Sequence, residues 1–507
     1  MGAMNCAKAR EDAVLGTSPR LRRGGARRHA VHMQAIEHAN GSSEDARASK
    51  PRPIVSAVLS DGRLVETLYR KESGTTALAI WDGERVGITH ELTLPSGERL
   101  VPYRGDNPLF LNRVVLLPSE PAPVGDALAD DLTAYIRRYV DLSPVFERLA
   151  VEYVLFTWVY DRFEELPYLR LHGEYGSGKT RFLQVVGSIC RTPIFAGGAS
   201  TVSPLFHLLD RFRGTLILDE ADFRFSDERA QLVKILNNGN VAGFPVLRSE
   251  SVNGKEYRPV AYQVYGPKIV AMRGEFDDRA LESRFISERS DGRKLRSDIP
   301  LNFPKAQAEE AQALRSRLLS YRFERYANAG SWIEPVDRAL EPRVNQVFSP
   351  LLANIEDDAA REQLKTYARS KSIWLAEERS ASVEAEVLAV LKHLADTGVP
   401  LALSDIADLY SRAFLPQSLP ISARSIGGIL RKRLGIRPQK SNGIYVIGPL
   451  ERLKLGPLFE RYRVTEDDAA RVAAFDTTHA LELTFSPIEP PRGDVRDIGD
   501  VGDMARA

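Results

Sequence analysis

Apolar positions change rhythm several times along the chain. Between Pro53 and Pro118, short apolar runs such as Ile54–Leu59, Ala77–Trp81 and Arg113–Leu117 are separated by the turn pairs Asp61-Gly62, Asp82-Gly83 and Ser96-Gly97. Runs of this length between turn signals predict a small β-rich module. Pro118–Pro123 reads as a linker, and two helices are expected after it. Asp126–Val140 is amphipathic. The second helix has Ser143 as N-cap and Pro144 in its first turn, with Phe146, Leu149, Tyr153, Phe156 and Tyr160 at helical spacing. These positions predict core packing rather than a ligand stripe.

From Tyr168 to about Ser287, predicted strands alternate with helices, the pattern of a parallel α/β sheet. Pro304 to Arg379 reads as mostly helical, and Ser382 to Gly448 as three helices followed by a hairpin. Past Asp476 the chain becomes rich in Pro and Gly and ends acidic, which predicts a disordered tail. The first fifty residues are rich in Gly, Ala, Ser and Arg, with Arg22, Arg23, Arg27 and Arg28 close together and no apolar run. They read as a disordered basic tail and not a secretory signal, with Met33 as an alternative start.

Composition narrows the function classes. At 507 residues, roughly three or four folded units are expected. A formal net charge of +1 points to no partner by itself, so a nucleic-acid signal must come from local clustering. Two cysteines, Cys6 and Cys190, exclude a disulfide framework and a cysteine-rich zinc site. The most apolar stretch, Val151 to Tyr160, carries Glu152 and is too short to span a bilayer. A cytoplasmic protein with no membrane partner is expected.

The strongest chemical signal is Gly173-Glu174-Tyr175-Gly176-Ser177-Gly178-Lys179-Thr180, which fits G-x-x-x-x-G-K-[ST]. It follows a predicted strand, Tyr168–Leu171, and opens a predicted helix, Arg181–Cys190, the context such a phosphate-binding loop requires. Its glycines let the backbone wrap closely around phosphate oxygens with amides pointing inward, and the helix N-terminus adds partial positive charge. Lys179 is expected to reach the β- and γ-phosphates, and the Thr180 hydroxyl to ligate magnesium. A second buried run, Thr215–Leu218, ends in Asp219-Glu220. Asp219 is expected to hold magnesium through water, and Glu220 to polarise the attacking water. Ile194–Ala196 and a helix over Val202–Asp210 lie between the two motifs, so an additional strand separates them. The expected cofactors are ATP and Mg2+.

The additional strand and the Asp-Glu pair resemble AAA+ and related additional-strand P-loop ATPases. Among these, the chain resembles helicase-like ATPases of phage, plasmid and mobile-element replication proteins. The resemblance covers roughly Asp126 to Asp357. It is carried by Pro167-Tyr168-Leu169-Arg170, Ser203-Pro204-Leu205-Phe206, Gly214-Thr215-Leu216-Ile217-Leu218-Asp219-Glu220-Ala221-Asp222, Gly266-Pro267-Lys268 and Ala280-Leu281-Glu282-Ser283-Arg284. It implies a central sheet of five parallel strands, a helical lid, and assembly into a ring whose active sites are shared between subunits. Lys268–Met272 would lie beside the P-loop strand. The family carries a polar sensor at that strand's end, where this chain offers Arg273 instead of the more usual Asn or Thr. Arg284, just before the strand Phe285–Ser287, matches the arginine finger that reaches a neighbour's γ-phosphate, with Arg279 as rival. Arg343, after Pro342 at the start of the helix Val344–Asn354, resembles the lid arginine that senses the γ-phosphate.

Two regions bear on DNA. Asn253-Gly254 is a hairpin turn signal between Val246–Ser249 and Arg258–Val264, with Arg248, Lys255 and Arg258 along it. In helicase-type members of the class, a hairpin here projects into the ring pore. Ser382–Gly448 resembles a winged helix, with an apolar face at Val383, Val387, Val390, Leu391 and Leu394. Helices are expected at Leu403–Tyr410 and Ile421–Leu434, the latter with Ser422 as N-cap, and a wing strand at Gly443–Ile447. From Ile421 to Tyr445 there are six basic residues and no acid: Arg424, Arg431, Lys432, Arg433, Arg437 and Lys440. That is an electrostatic footprint for phosphate.

The expected organisation is a basic tail (1–50), a β-rich module (51–122), a helical linker (123–165), a P-loop ATPase core (166–290), a helical lid (291–379), a winged helix (380–465) and a C-terminal tail (466–507). The expected fold class is α/β. The expected function is a ring-forming, ATP-driven DNA translocase or helicase of mobile-element replication. The alternative is an ATP-switched regulatory or protein-remodelling ATPase that uses the winged helix as an adaptor.

Overall fold

The computed structural model describes residues 50–198, 200–219, 226–252, 256–276, 278–290, 296–327, 336–416 and 419–476. Both expected tails, except for residues 50 and 466–476, lie outside the described residues, and so do Glu220 and the Asn253-Gly254-Lys255 turn. Among the described residues, no helix is long and apolar enough to cross a membrane.

The described residues open with seven strands, β1 (Arg52–Ile54), β2 (Ser56–Val58), β3 (Leu64–Arg70), β4 (Thr75–Trp81), β5 (Val86–Thr89), β6 (Leu92–Thr93) and β7 (Arg99–Pro102). They form a four-stranded sheet, β2-β3-β4-β5, and a three-stranded sheet, β1-β7-β6. The run Ile54–Leu59 is not one strand. It breaks at Val55, whose carbonyl accepts a hydrogen bond from the Thr67 amide (2.7 Å), so its two halves enter different sheets.

Arg113–Leu117 also departs from the strand its pattern suggests. After the short helix α1 (Pro108–Leu111), Val115 makes an isolated antiparallel bridge to Ile194, and the Phe195 amide donates to Val114 O (2.8 Å). The segment therefore covers the outer edge of the central sheet, where unpaired backbone groups would otherwise be left open.

Helix α2 (Leu128–Tyr139) buries one face, Leu128, Leu132, Tyr135, Ile136 and Tyr139. In α3 (Pro144–Thr157), Ser143 Oγ accepts from the Phe146 amide (3.1 Å), and Phe146, Leu149, Tyr153 and Phe156 are all buried. Burial on every side of α3 fits its nearly continuous apolar sequence.

The α/β region then runs β8 (Tyr168–His172), α4 (Lys179–Ser188), β9 (Ile194–Ala196), α5 (Ser203–Phe212), β10 (Leu216–Leu218), α6 (Ser226–Asn238), β11 (Val246–Val252), β12 (Glu256–Tyr262), β13 (Lys268–Met272), α7 (Arg279–Glu282) and β14 (Phe285–Arg289). Its sheet has five strands in the order β14-β8-β13-β10-β9, all parallel. Every residue of β13 and β10 is buried, as expected for central strands covered on both faces. The mixed α/β architecture with this parallel five-stranded sheet is consistent with a P-loop NTPase fold. Strands β11 and β12 pair antiparallel as a separate hairpin.

Three helices follow, α8 (Lys305–Ala327), α9 (Pro342–Asn354) and α10 (Asp358–Ser380). One continuous core joins them to α2, α3, the central sheet and the N-terminal strands. A second core is built from α11 (Val383–Asp396), α12 (Leu403–Phe414), α13 (Ala423–Lys432) and the hairpin β15 (Gln439–Ser441) and β16 (Ile444–Val446). The hairpin turns at Asn442 and Gly443, both at positive φ (48° and 86°), the conformation a tight two-residue connection demands. Helices α14 (Pro449–Arg452), α15 (Leu455–Tyr462) and α16 (Glu466–Ala473) complete this unit, and Leu455, Tyr462 and Val472 enter its core. The expected tail bound at 466 falls at the start of α16 (Glu466–Ala473), whose first turn is fixed by a capping box of Thr465 and Asp468.

Candidate active site

The P-loop leaves the C-terminal end of β8, where the Gly173 amide donates to Met272 O (3.3 Å) on β13. Gly176 and Gly178 adopt φ of 75° and 85°, and a Cβ at either would meet nothing within 4 Å. Glycine is required there by backbone conformation and not by crowding. The Lys179 ammonium curls into the loop and donates to Gly173 O (2.8 Å), Glu174 O (2.7 Å) and Ser177 Oγ (3.4 Å).

Thr180, in the first turn of α4, donates from Oγ1 to Asp219 Oδ2 (2.8 Å) at the end of β10. A hydroxyl and a carboxylate brought together at one end of the parallel sheet form a hard-oxygen donor set that fits magnesium. A cleft of about 220 Å3 opens beside them, lined also by Ala196, Gly197 and Ile217. Glu220, the expected water-polarising residue, lies outside the described residues.

Tyr175 is 84% exposed at the loop's crest, and the Arg273 guanidinium stands over its ring, 5.3 Å from the centroid. Arg273 is thus at the P-loop end of β13 and presents a cation there.

Arg284 lies at the other end of the sheet. Its carbonyl accepts from the Tyr168 amide (3.0 Å) at the start of β8. Its guanidinium donates to Asn240 Oδ1 (2.9 Å), Asn237 Oδ1 (2.8 Å) and Ala280 O (2.6 Å). Arg343, in the first turn of α9, donates from Nε to Ser283 Oγ (3.1 Å) and also binds Gln346. Arg343 therefore stands beside Arg284. The reason is local: α9 starts against the loop that carries Ser283. Arg279 is exposed at the first position of α7. Arg170 of β8 is fully buried and bonds Glu282 of α7 (2.7 Å), which ties the P-loop strand to the segment carrying Arg284.

The supports Asn237, Asn240 and Ser283 were not anticipated. The run Asn237-Asn238-Gly239-Asn240 is a visible signal, but at the end of a helix it reads as a C-cap.

On the β11–β12 hairpin, Arg258 faces Glu250 in register and is exposed, and the Arg248 guanidinium packs over the Phe206 ring at 4.5 Å. Lys255 lies outside the described residues. Tyr257 and Leu247 are also exposed along the hairpin.

In the C-terminal unit, Arg424, Arg431, Lys432, Arg433, Arg437 and Lys440 are all exposed. Arg433 pairs with Glu384 (3.3 Å), and the Arg437 amide donates to Glu451 (2.7 Å). Among the described residues, Arg424, Arg431, Lys432 and Lys440 form no ion pair. These cations are more than eighty residues along the chain from Arg343, in the second core's unit, and the structure does not bring them to the P-loop.

No protein-family model matches the sequence. No curated protein matches it either. Among solved structures, the chain is similar to the active helicase Cch of SCCmec type IV, at 12% identity and a TM-score of 0.34, over 79% of this chain and 99% of that one. It is also similar to the ORC1 protein of Aeropyrum pernix in complex with DNA, at 16% identity and a TM-score of 0.19, over 66% of this chain and 97% of that one. A third is Cdc6p of Pyrobaculum aerophilum, at 14% identity and a TM-score of 0.21, over 66% of this chain and 99% of that one.

Proposed function

We propose that the chain is a magnesium-dependent ATPase that assembles into a ring and moves DNA, as a translocase or helicase in the replication of a mobile element. The observation that carries the ATPase reading is the contact of Thr180 Oγ1 with Asp219 Oδ2 (2.8 Å), beside a loop that already folds Lys179 inward. The backbone amides of Gly173 to Thr180 wrap the phosphates, and Lys179 turns from carbonyls to phosphate oxygens. Thr180 and Asp219 would hold magnesium, which supplies charge neutralisation at the phosphates. Glu220 takes the proton of the attacking water.

The DNA reading draws on two features. The β11–β12 hairpin leaves the core between the Asp219 strand and β13, so nucleotide state can move it. The exposed cations of the C-terminal unit follow a winged-helix order of elements. A second reading is an ATP-switched, protein-remodelling ATPase. It is favoured by Leu450 and Leu453, which are 80% and 75% exposed beside the wing and would suit a protein partner.

ATP turnover measured with and without single-stranded DNA separates the two. Stimulation by DNA is the expected result. Turnover indifferent to DNA removes the translocase reading and leaves the ATPase. Absence of ATP binding removes both.

A further inference from the structure

Helix α4 exposes Thr180 in its first turn and Gln184 one turn later, while every other residue from Phe182 to Ser188 is buried. Both exposed residues line the cleft of about 220 Å3 beside Asp219. Thr180 and Asp219 already meet there (2.8 Å). The cleft's remaining side-chain walls are apolar, from Leu183, Phe195, Ala196 and Ile217. Among the described residues the Gln184 amide has no hydrogen-bond partner.

A glutamine exposed on a helix is ordinarily part of a solvated face. This one differs in what shares its cleft. An amide carries an acceptor and donors, and the apolar walls offer it nothing. Its partner is water, or a group that arrives with a ligand beside Thr180 and Asp219.

That ligand's metal would bring water with it. Thr180 and Asp219 supply oxygens, and among the described residues no group of three or more carboxylate, imidazole or thiol side chains is placed to hold a metal. Magnesium demands an octahedral shell and gives up water reluctantly. Phosphate oxygens and water therefore fill its other positions, and those waters need acceptors of their own.

Helical geometry sets Gln184 at the range such an acceptor requires. One turn separates it from Thr180, about 6 Å along the axis. A metal-to-water distance of about 2.1 Å and a hydrogen bond of about 2.8 Å together span about 5 Å. One water thus fits between a metal held at Thr180 and the amide. Metal-bound water donates its hydrogens, so Oε1 of Gln184 is the atom that meets it.

We propose that Gln184 is a positioning residue that accepts a hydrogen bond from a water on the magnesium of the bound nucleotide. It touches neither the metal nor the phosphates and acts through that water, for which the cleft is the space. The inference rests on the ATPase reading. It also gives the site a preference for magnesium, because calcium takes a looser and more variable shell and gains less from one oriented water.

Metal binding by the full-length chain tests this. The protein is titrated with fluorescent ADP in chelator, and the complex then with magnesium or with calcium. Gln184→Leu should bind metal-free nucleotide within about two-fold of the parent, because no direct contact is removed. Its magnesium affinity in the nucleotide complex should fall about ten-fold or more, and its calcium affinity less. Gln184→Glu keeps an oxygen acceptor and should hold magnesium within about three-fold of the parent. Leucine and glutamine are close in helix propensity, so the nucleotide-free melting temperature of Gln184→Leu should match the parent's.

Unchanged magnesium affinity in Gln184→Leu overturns the proposal. An equal loss for magnesium and calcium also overturns it, since that marks a general distortion of the site. A loss of metal-free nucleotide affinity as large as the metal loss, a failure of Gln184→Glu to retain magnesium, or a melting temperature lowered by several degrees in both variants does the same. A parent chain that binds no nucleotide removes the ATPase reading along with the proposal. A parent that binds nucleotide and magnesium no better than Gln184→Leu removes the proposal alone.

Discussion

Thr180 Oγ1 and Asp219 Oδ2 stand 2.8 Å apart, although 39 residues and the strand β9 separate them in the chain. The contact exists because β10 and β8 run parallel with β13 between them, so the ends of both strands open on one side of the sheet. A hydroxyl and a carboxylate thus meet beside the glycine-rich loop.

The first prediction follows from that contact. Lys179→Ala should abolish nucleotide binding or weaken it severely, because its ammonium is the loop's own cation. Glu220→Gln should retain ATP binding and lose hydrolysis by about a hundred-fold or more, since only proton acceptance is removed. Fluorescent-nucleotide titration and phosphate release measure the two effects. Parental turnover in Glu220→Gln would rule out the assignment of Glu220 as the water-polarising group.

A second prediction concerns Arg284 alone. Arg284→Ala should bind ATP normally and not turn it over, because its guanidinium is at the far end of the sheet from its own P-loop. Co-assembly with Lys179→Ala should restore part of the activity. No recovery in verified mixed rings removes Arg284 as a cross-subunit finger.

These two predictions show how unevenly the site was legible. The P-loop, Asp219 and the strand beside the P-loop were readable because a phosphate cradle imposes fixed residue types at fixed spacing. The additional strand could be inferred from the length between the motifs. The position of Arg343 could not be read, because it depends on where α9 begins against the loop of Ser283, a tertiary contact with no local pattern. The same holds for Arg113–Leu117, which is apolar enough for a strand but serves as an edge cover. Glu66 looks like a polar slip in the apolar strand Leu64–Leu68. It is buried because Arg191 (2.9 Å), in the connection between α4 and β9, and Arg322 (2.7 Å), of α8, meet it.

The third prediction uses that buried network. Asp161 joins it through two hydrogen bonds from Arg322 (2.8 and 2.7 Å). Burial pushes the Asp161 carboxyl up, but the charges of Arg322 and Arg191 outweigh it and hold the group down at about 2. A depressed folded-state value means stability that is fully present above the unfolded value near 4 and is lost as the pH falls toward 2. The contribution is about 2 kcal/mol. Urea unfolding of the parent should weaken over that window more than unfolding of Asp161→Asn. Parallel curves would remove Asp161 as the titrating group. Arg322→Ala should cost about 3–5 kcal/mol at neutral pH, because it leaves Glu66 and Asp161 buried with less compensation.

The last prediction divides the DNA contacts. We expect the C-terminal unit to anchor duplex DNA in a salt-sensitive way, and the β11–β12 hairpin to couple ATP to movement. Pairing with Glu384 makes Arg433 a poor phosphate ligand, and Arg437 stands close to Glu451. Arg424, Arg431, Lys432 and Lys440 remain. Four neutralised phosphates give a slope of log affinity against log salt of about −3.6. Arg431→Ala with Lys432→Ala should roughly halve that slope and leave DNA-independent turnover unchanged, whereas Arg433→Ala should barely alter it. Arg258→Ala with Lys255→Ala should instead remove DNA stimulation of turnover while sparing duplex affinity, since the hairpin lies between the Asp219 strand and β13 and not in the anchoring unit. Fluorescence anisotropy across a salt series and steady-state turnover measure these separately. The division fails if the hairpin variant loses duplex affinity and keeps its stimulation, or if the Arg431 and Lys432 changes leave the slope where it was.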